Sequence, residues 1–492
     1  MKPIIVVENT KRWPLRLEGA EVVSAREYLV SNAWGGKRGL RVYNFCRTYG
    51  YQTLGYYVSL LAAARGHRAL PTVETLQDLR LAPVVRIVSQ ELDALIQKSL
   101  ARLRSAKFEL SVYFGHNLAT TYESLARALY QQFPVPLLRA SFEKRGREWR
   151  LSSVRPIATS EIPDEHRTFV IAQAEEHFDR NTRPARAKRT FQYDMAILVD
   201  PTAEDAPSDD KALRKFAKAA ADVGIGAELI GLDEAPDIAE YDALFIRQTT
   251  YVNGPTYRLS RRAATEGLVV IDDPTSILRC SNKVFLAELF ERNKVPQPKT
   301  FVAHEDAIGE IAAAVGLPCV LKRPDSAFSR GVVRADTEDE LREKAKLFLA
   351  DSELVVAQEF MASDFDWRIG VLGGKALYAC RYHMARGHWQ IIAAKEGGKT
   401  RYGRVEAVPL DQAPPQAVET GVRAASLIGD GLYGVDIKES QGRFVVMEVN
   451  DNPNVEAGYE DGAVGDALYA AVMQWFRERL DKRGGNGGPR SG

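Results

Sequence analysis

The stretch from Tyr433 to Asn454, YGVDIKESQGRFVVMEVNDNPN, constrains this chain more than any other. It reads as two strands, Leu432–Lys438 and Arg443–Asn450, joined by a short polar turn containing Gly442. Antiparallel pairing about Gly442 sets Asp436 opposite Glu448, because the two lie equally far from it. Residues two apart in a strand share a face, so Asn450 joins Glu448 on the side of Asp436. Val435, Ile437, Met447 and Val449 then point the other way, into a core. Two carboxylates and an amide oxygen on one face make an oxygen-only site. Such hard donors suit Mg²⁺ or Mn²⁺ held beside the phosphates of a nucleotide. The competing reading is a hairpin with ordinary polar residues on its wet face. The NDNPN turn directly after the strand favours the site, since it keeps further oxygen and amide groups close by.

The elements D…MEVNDNPNVE resemble the C-terminal metal motif of ATP-grasp ligases: an Asp, then E-x-N in a strand, then a Pro-containing loop. The resemblance extends over roughly the last 300 residues and is nearest to the RimK-type glutamate ligases and glutathione synthetases. It implies an α/β chain of the α+β ATP-grasp kind: an N-terminal α/β domain, a pre-ATP-grasp α/β domain, then a two-subdomain ATP-grasp fold. It also implies that Asp436, Glu448 and Asn450 hold two Mg²⁺ ions, or Mn²⁺, bridging the phosphates of ATP.

At 492 residues the chain is too long for one core and should divide into about three domains. Lys and Arg number 66 against 65 Asp and Glu, so no global field points to nucleic acid or an anionic membrane. Cys46, Cys280, Cys319 and Cys380 are scattered, with no CxxC pair, which favours a reducing cytoplasm over a disulfide framework or a zinc site. The first residues, MKPIIVVENT, lack the apolar run of a signal peptide, and no segment approaches 18 apolar residues. A soluble cytoplasmic enzyme is expected.

Residues 1–180 alternate short apolar strands with amphipathic helices and predict an α/β domain; GLRVYNFC is a strand, and Leu54, Val58 and Leu61 recur at helical spacing. An α/β block before a RimK-like half resembles the N-terminal domain of RimK-like proteins. Gly35–Gly39 lacks the Lys-Ser/Thr of a Walker loop and reads as a turn; His67 and His116 have no partnering cluster and no assigned role. Residues 181–190 are basic and Pro-containing, a linker; residues 191–278 carry strands MAILVD and ALFIRQ and a helix over Lys211–Val223, the pre-ATP-grasp domain. The ATP-grasp domain spans 279–480, and 481–492, without apolar anchors, should be disordered.

Further site residues follow from the order of motifs. A helix over Asn282–Asn293, capped by Ser281, has Phe285, Leu286, Leu289 and Phe290 as its apolar face. Its Lys283 sits where N-terminal amides favour anions, and CSNKVFLAEL resembles the segment carrying the family's first ATP lysine. Lys322 ends the strand PCVLK before PDSAFSRGV, a loop poorer in glycine than the family's, with Ser326 and Ser329 supplying hydroxyls to the phosphates. The resemblance assigns Gln358, Glu359 and Phe360 to the adenine hinge, with Glu359 as an alternative ribose ligand. It also reads Asp366 and Arg368 as a D-x-R motif whose Arg meets the transferring phosphoryl group. Arg381 on the return strand is a further ATP-binding candidate, and His388 and Trp389 could line the acceptor pocket. Arg247, Tyr257 and Arg258, in IRQTTYVNGPTYRLSRR, are the candidates to anchor the carboxylate substrate.

The expected reaction is ATP-dependent carboxylate–amine ligation through an acyl phosphate, with ADP and phosphate released and Lys322 and Arg368 neutralising charge. Glutamate or a similar amino acid is the substrate that the resemblance suggests. The partners are then small-molecule carboxylates and amines, or a peptide or protein acceptor, with no nucleic acid, no membrane and homo-oligomerisation left open. Two alternatives stand beside it: a ligase adding glutamate to a polypeptide, and a nucleotide-binding regulator without turnover.

Overall fold

The structure is a computed structural model describing residues 3–31, 33–34, 37, 40–146, 148–182, 191–203, 205–232, 234–252, 254–325, 331–385, 389–393 and 401–485. The chain forms two compact units, Met1–Thr190 with Asp233–Tyr241, and Phe191–Leu232 with Asp242–Gly492. No helix among the described residues is long and apolar enough to cross a membrane.

The first unit contains two sheets. The first is parallel, in the order Glu21–Ser24, Ile4–Val7, Arg41–Asn44, Arg68–Leu70. The helix Leu54–Ala64 buries Val58 and Ala62 with Val6 and Val42 in one of its cores. The second sheet is antiparallel, Lys107–Tyr113, Leu137–Arg145 and Glu148–Pro156, and shares a core with residues of the helices Ala82–Glu91, Asp93–Leu100 and Glu123–Gln132. This sheet corrects the expected simple alternation of strand and helix. The last two strands are separated by two residues, and a connection that short permits only antiparallel pairing. His67 lies 2.8 Å from Tyr28 Oη, and His116 lies 2.7 Å from Glu123 Oε1.

Residues 233–241 were expected inside a contiguous 191–278 domain but cluster with the first unit. The reason is local. Glu240 is buried there, accepting from Tyr43 Oη at 3.0 Å and lying 3.3 Å from His177 Nε2 and 3.5 Å from Arg41 Nη1. The helix Arg167–Thr182 covers the first residues of the expected linker, whose remainder lies outside the described residues.

The second unit holds three larger sheets. A parallel sheet runs in the order Val269–Ile271, Ala243–Ile246, Tyr193–Leu198, Ile225–Ile230. Its core contains Phe216 of the helix Asp210–Asp222 and Tyr469, Val472 and Phe476 of the helix Asp466–Gly485. Phe216 meets Tyr469 at 4.7 Å between ring centroids, and Phe245 meets Phe476 at 5.7 Å. The segments 191–278 and 279–480 therefore share a core instead of forming separate ones, and the last helix runs to Gly485, past the start of the expected tail. The residues beyond it lie outside the described ones.

The other two sheets are antiparallel. One is ordered Thr300–Ala303, Val355–Glu359, Cys319–Lys322, Val332–Ala335; the other is ordered Val405–Val408, Lys375–His383, Phe365–Leu372, Leu432–Ser440, Arg443–Asn450. The helix Pro415–Ser426 buries Ala417, Ala424 and Ala425 in a core with Trp367, Ile369, Val435 and Val449, on one face of the five-stranded sheet.

Candidate functional site

Across three strands of that sheet, Arg368 pairs in register with Asp436 and Asp436 with Glu448, while Gly434 pairs with Asn450 one step along the same face. The expected opposition of Asp436 and Glu448 holds, but the turn differs. Gln441 and Gly442, with φ of 52° and 74°, form a two-residue turn, and Ser440 pairs with Arg443. Ile437 pairs with Val446, so Met447 is an extra residue that shifts the register before Glu448. Met447 is consequently not in the core. It is half-buried and lines a small cavity with Lys283, Lys322 and Gln358, while Val446 joins the buried cluster.

Charge on this face is tightly paired. Arg368 makes a two-pronged bond to Asp436, Nε to Oδ1 and Nη2 to Oδ2, the latter 2.9 Å. Asn450 Nδ2 donates to Asp436 Oδ2 at 3.1 Å and to Gly434 O at 3.2 Å. Glu448 lies 2.9 Å from Lys283 Nζ. Burial alone would raise the Glu448 carboxyl, but Lys283 and Lys322 outweigh it and hold the group below the usual range. Asp366 and Arg368 do not pair with each other. Lys438 Nζ donates to Asp366 Oδ1 at 2.5 Å and to Ser363 Oγ at 2.7 Å. Lys438 escaped the sequence reading, although its position two residues after Asp436 puts it on the same face.

Lys322 ends its strand as a buried ammonium, pushed down to about 8 by burial, with Glu448 opposing and Lys283 and Lys438 adding to the depression. Lys283 lies on the inward face of the helix Lys283–Arg292 because Leu286, Ala287 and Phe290, at i+3, i+4 and i+7, are buried with it. The cap is Asn282, accepting from Phe285 N at 2.9 Å, and not Ser281, which ends the preceding helix Pro274–Ser281; Phe285 is exposed.

Gln358 is buried, donates from Nε2 to Thr300 Oγ1 at 3.0 Å and lines the cavity, with its Oε1 covered and unpartnered among the described residues. Glu359 accepts from Lys299 N at 3.0 Å through Oε1, and its own N–H donates to Lys299 O. Phe360 N donates to Pro318 O, so both of these hinge amides bond to the chain itself; the Phe360 ring meets Arg334 at 4.2 Å and Trp389 at 5.8 Å. Ser326, Ser329 and His388 lie outside the described residues, as does most of Gly35–Gly39.

Two assignments are corrected. Arg381 pairs in register with Trp367, on the face opposite Arg368, where it stacks on Trp367 at 4.9 Å and lies 3.5 Å from Glu406. Arg247 is buried and uses four of its five N–H donors on protein: Ser208 Oγ (3.0 Å), Asn452 Oδ1 (2.7 Å), Pro207 O (2.6 Å) and Pro453 O (2.8 Å). It clamps the NDNPN turn and has no free fork for a carboxylate. Tyr257 and Arg258 sit in the first turn of the helix Pro255–Thr265, half-buried and exposed respectively.

The model of the RimK-like ATP-grasp N-terminal domain matches residues 25–173, and that of the RimK-like ATP-grasp domain matches residues 280–466. A protein of Thioalkalivibrio sulfidiphilus named "Probable alpha-L-glutamate ligase" is 30% identical over 224 residues, 45% of this chain and 71% of its own length. One of Vibrio vulnificus with the same name is 28% identical over 254 residues, 51% of this chain and 80% of its own. A RimK domain ATP-grasp protein from Sphaerobacter thermophilus superposes with a TM-score of 0.45 and 20% identity, covering 57% of this chain and 98% of that one. Two domain models in the expected order, and relatives matched over most of their own length, establish that this chain belongs to the RimK-like ATP-grasp family.

Proposed function

We propose that the chain joins a carboxylate to an amine with ATP as the energy source, and that the face around Asp436 is where the phosphoryl group moves. The observation that carries this reading is the cross-strand row Arg368–Asp436–Glu448, with Lys283 bonded to Glu448 and Lys322 buried close to it. Asp436, Glu448 and Asn450 offer hard oxygens on one face, a donor set that fits Mg²⁺ or Mn²⁺, which would neutralise phosphate charge there. Lys283 and Lys322 would hold the phosphates as point charges, and Arg368, oriented by Asp436, would face the transferring group. Lining the cavity beside the lysines, Gln358 and Met447 would receive the adenine.

A donor carboxylate oxygen attacks Pγ, the bond from Pγ to the β–γ bridging oxygen breaks, and ADP leaves an acyl phosphate. The amine nitrogen then attacks the acyl carbon, the carbon–oxygen bond to phosphate breaks, and inorganic phosphate and a proton are released. Positioning and charge neutralisation supply the catalysis, without a protein nucleophile. An amino acid such as glutamate is the substrate class favoured by the relatives' names. A donor labelled with ¹⁸O in its carboxylate should deliver label to inorganic phosphate, with ADP as co-product. Release of AMP and pyrophosphate, or unlabelled phosphate, would refute the mechanism.

A further inference from the structure

The parallel sheet of the second unit ends in buried acceptors that no donor among the described residues answers. Val269–Ile271 runs into Asp272, and Ala243–Ile246 into the loop Arg247–Thr250, both at the C-terminal edge where open α/β sheets bind ligands. Asp272 is 3% exposed and its Oδ2 is completely covered. Among the described residues its carboxylate has neither a hydrogen bond nor an ion pair; only its main-chain oxygen is engaged, by Ser260 Oγ at 2.6 Å. In the neighbouring loop Gln248 Oε1 is likewise covered and unpartnered. That loop is laced to the turn after Asn450: Asn452 Nδ2 donates to Gln248 O at 2.7 Å, and Thr250 Oγ1 to Asp451 Oδ2 at 2.7 Å. Asp451 is itself 7% exposed and free of ion pairs among the described residues. Burial, then the charge of Asp451, drives the Asp272 carboxyl well above its ordinary range, with Arg247 opposing.

Two covered acceptors and a second carboxylate need a partner bringing both N–H donors and positive charge. Leaving a buried acceptor unmet costs about 1–3 kcal/mol, and more for a charged one. A primary ammonium has three donors and one charge, which suits Asp272, Gln248 and Asp451 together. We propose that these three residues form a pocket for the ammonium group of the amine substrate, one residue beyond Asn450. This rests on the ligase reading for the identity of the ligand, but not for the chemistry of the pocket.

The test uses melting of the full chain, with methylammonium, tetramethylammonium and Mg²⁺ as probes at matched ionic strength, and with MgATP. Methylammonium should raise Tm, while tetramethylammonium, with equal charge and no N–H donor, should not. Asp272→Asn should abolish the methylammonium shift and retain the MgATP shift; Gln248→Leu should reduce the methylammonium shift by half or more. Equal shifts from the two organic cations, or a methylammonium shift that survives in both variants, would overturn the proposal. So would a shift from Mg²⁺ alone that Asp272→Asn removes, since that marks a metal site. No turnover is needed: a chain that releases no ADP with any carboxylate sinks the ligase reading and leaves this test decisive.

Discussion

Glu240 in the first unit and Asp272 in the second are both carboxylates withdrawn from water, 4% and 3% exposed, each with one covered oxygen that accepts no hydrogen bond among the described residues, yet their surroundings differ. Around Glu240 stand Arg41, Tyr43 and His177. Burial raises its carboxyl, but the Arg41 charge and the bonds from His177 and Tyr43 prevail and hold it below the ordinary range. Asp272 has no such donors among the described residues and is driven the other way. The difference separates a charge that fastens the fold from a charge kept for a ligand. A buried ion pair is expensive to break, whereas an uncompensated buried carboxylate destabilises the state that contains it.

The largest expected effect lies on the row Arg368–Asp436–Glu448. Glu448→Gln keeps the shape but removes the anion proposed as a metal ligand and a charged partner of Lys283. Turnover should fall by roughly 10²–10³, the scale set by losing one preorganised charge-stabilising group. Steady-state ADP release at saturating Mg²⁺ measures it, and full activity would remove Glu448 from the site. Next is Glu240→Ala, which takes a buried carboxylate partner from Arg41 and His177 and should lower stability by about 3 kcal/mol in denaturant unfolding. The sign with pH follows from the depressed carboxyl. Its contribution is fully present above the unfolded pKa of about 4.3 and is lost as pH falls through the lower folded value. A variant as stable as the parent at pH 7 would break the comparison.

Asp272→Asn should be smaller and opposite in sign, neutral or stabilising by about 1 kcal/mol at pH 7, as for functional charges that cost stability. Because its carboxyl is raised in the folded state, the parent's disadvantage appears above the unfolded pKa and vanishes in acid, where the two proteins should converge. Marked destabilisation by Asp272→Asn at pH 7 would make Asp272 a structural residue like Glu240.

How far the sequence reached depends on the range of each interaction. Asp436 and Glu448 were legible because a hairpin relates them locally, and the pairing survived an error in the turn because the Met447 bulge restored the register. The same bulge hid Met447, since strict alternation placed it in the core. Arg381 was misplaced for want of the pairing with Trp367, which decides its face. Arg247 looked like an anion anchor because its four acceptors come from residues 207, 208, 452 and 453, far along the chain. Gln248 reads from the sequence only as the end of the strand ALFIRQ, and Asp272 has no assigned role; a polar residue directly after a wholly apolar parallel strand is the available signal.

The helix Asp466–Gly485 has a consequence in time. It caps a sheet whose last strand, Val269–Ile271, leaves the ribosome 214 residues before the helix is complete. At about 5–20 residues per second that interval is roughly 10–40 s, during which the face destined for Tyr469, Val472 and Phe476 lacks its cover. Synthesis of this chain therefore includes a prolonged stage with an apolar face exposed on the nascent protein, when chaperone capture competes with folding. Shortening the chain within residues 466–485 would turn that stage into a permanent state.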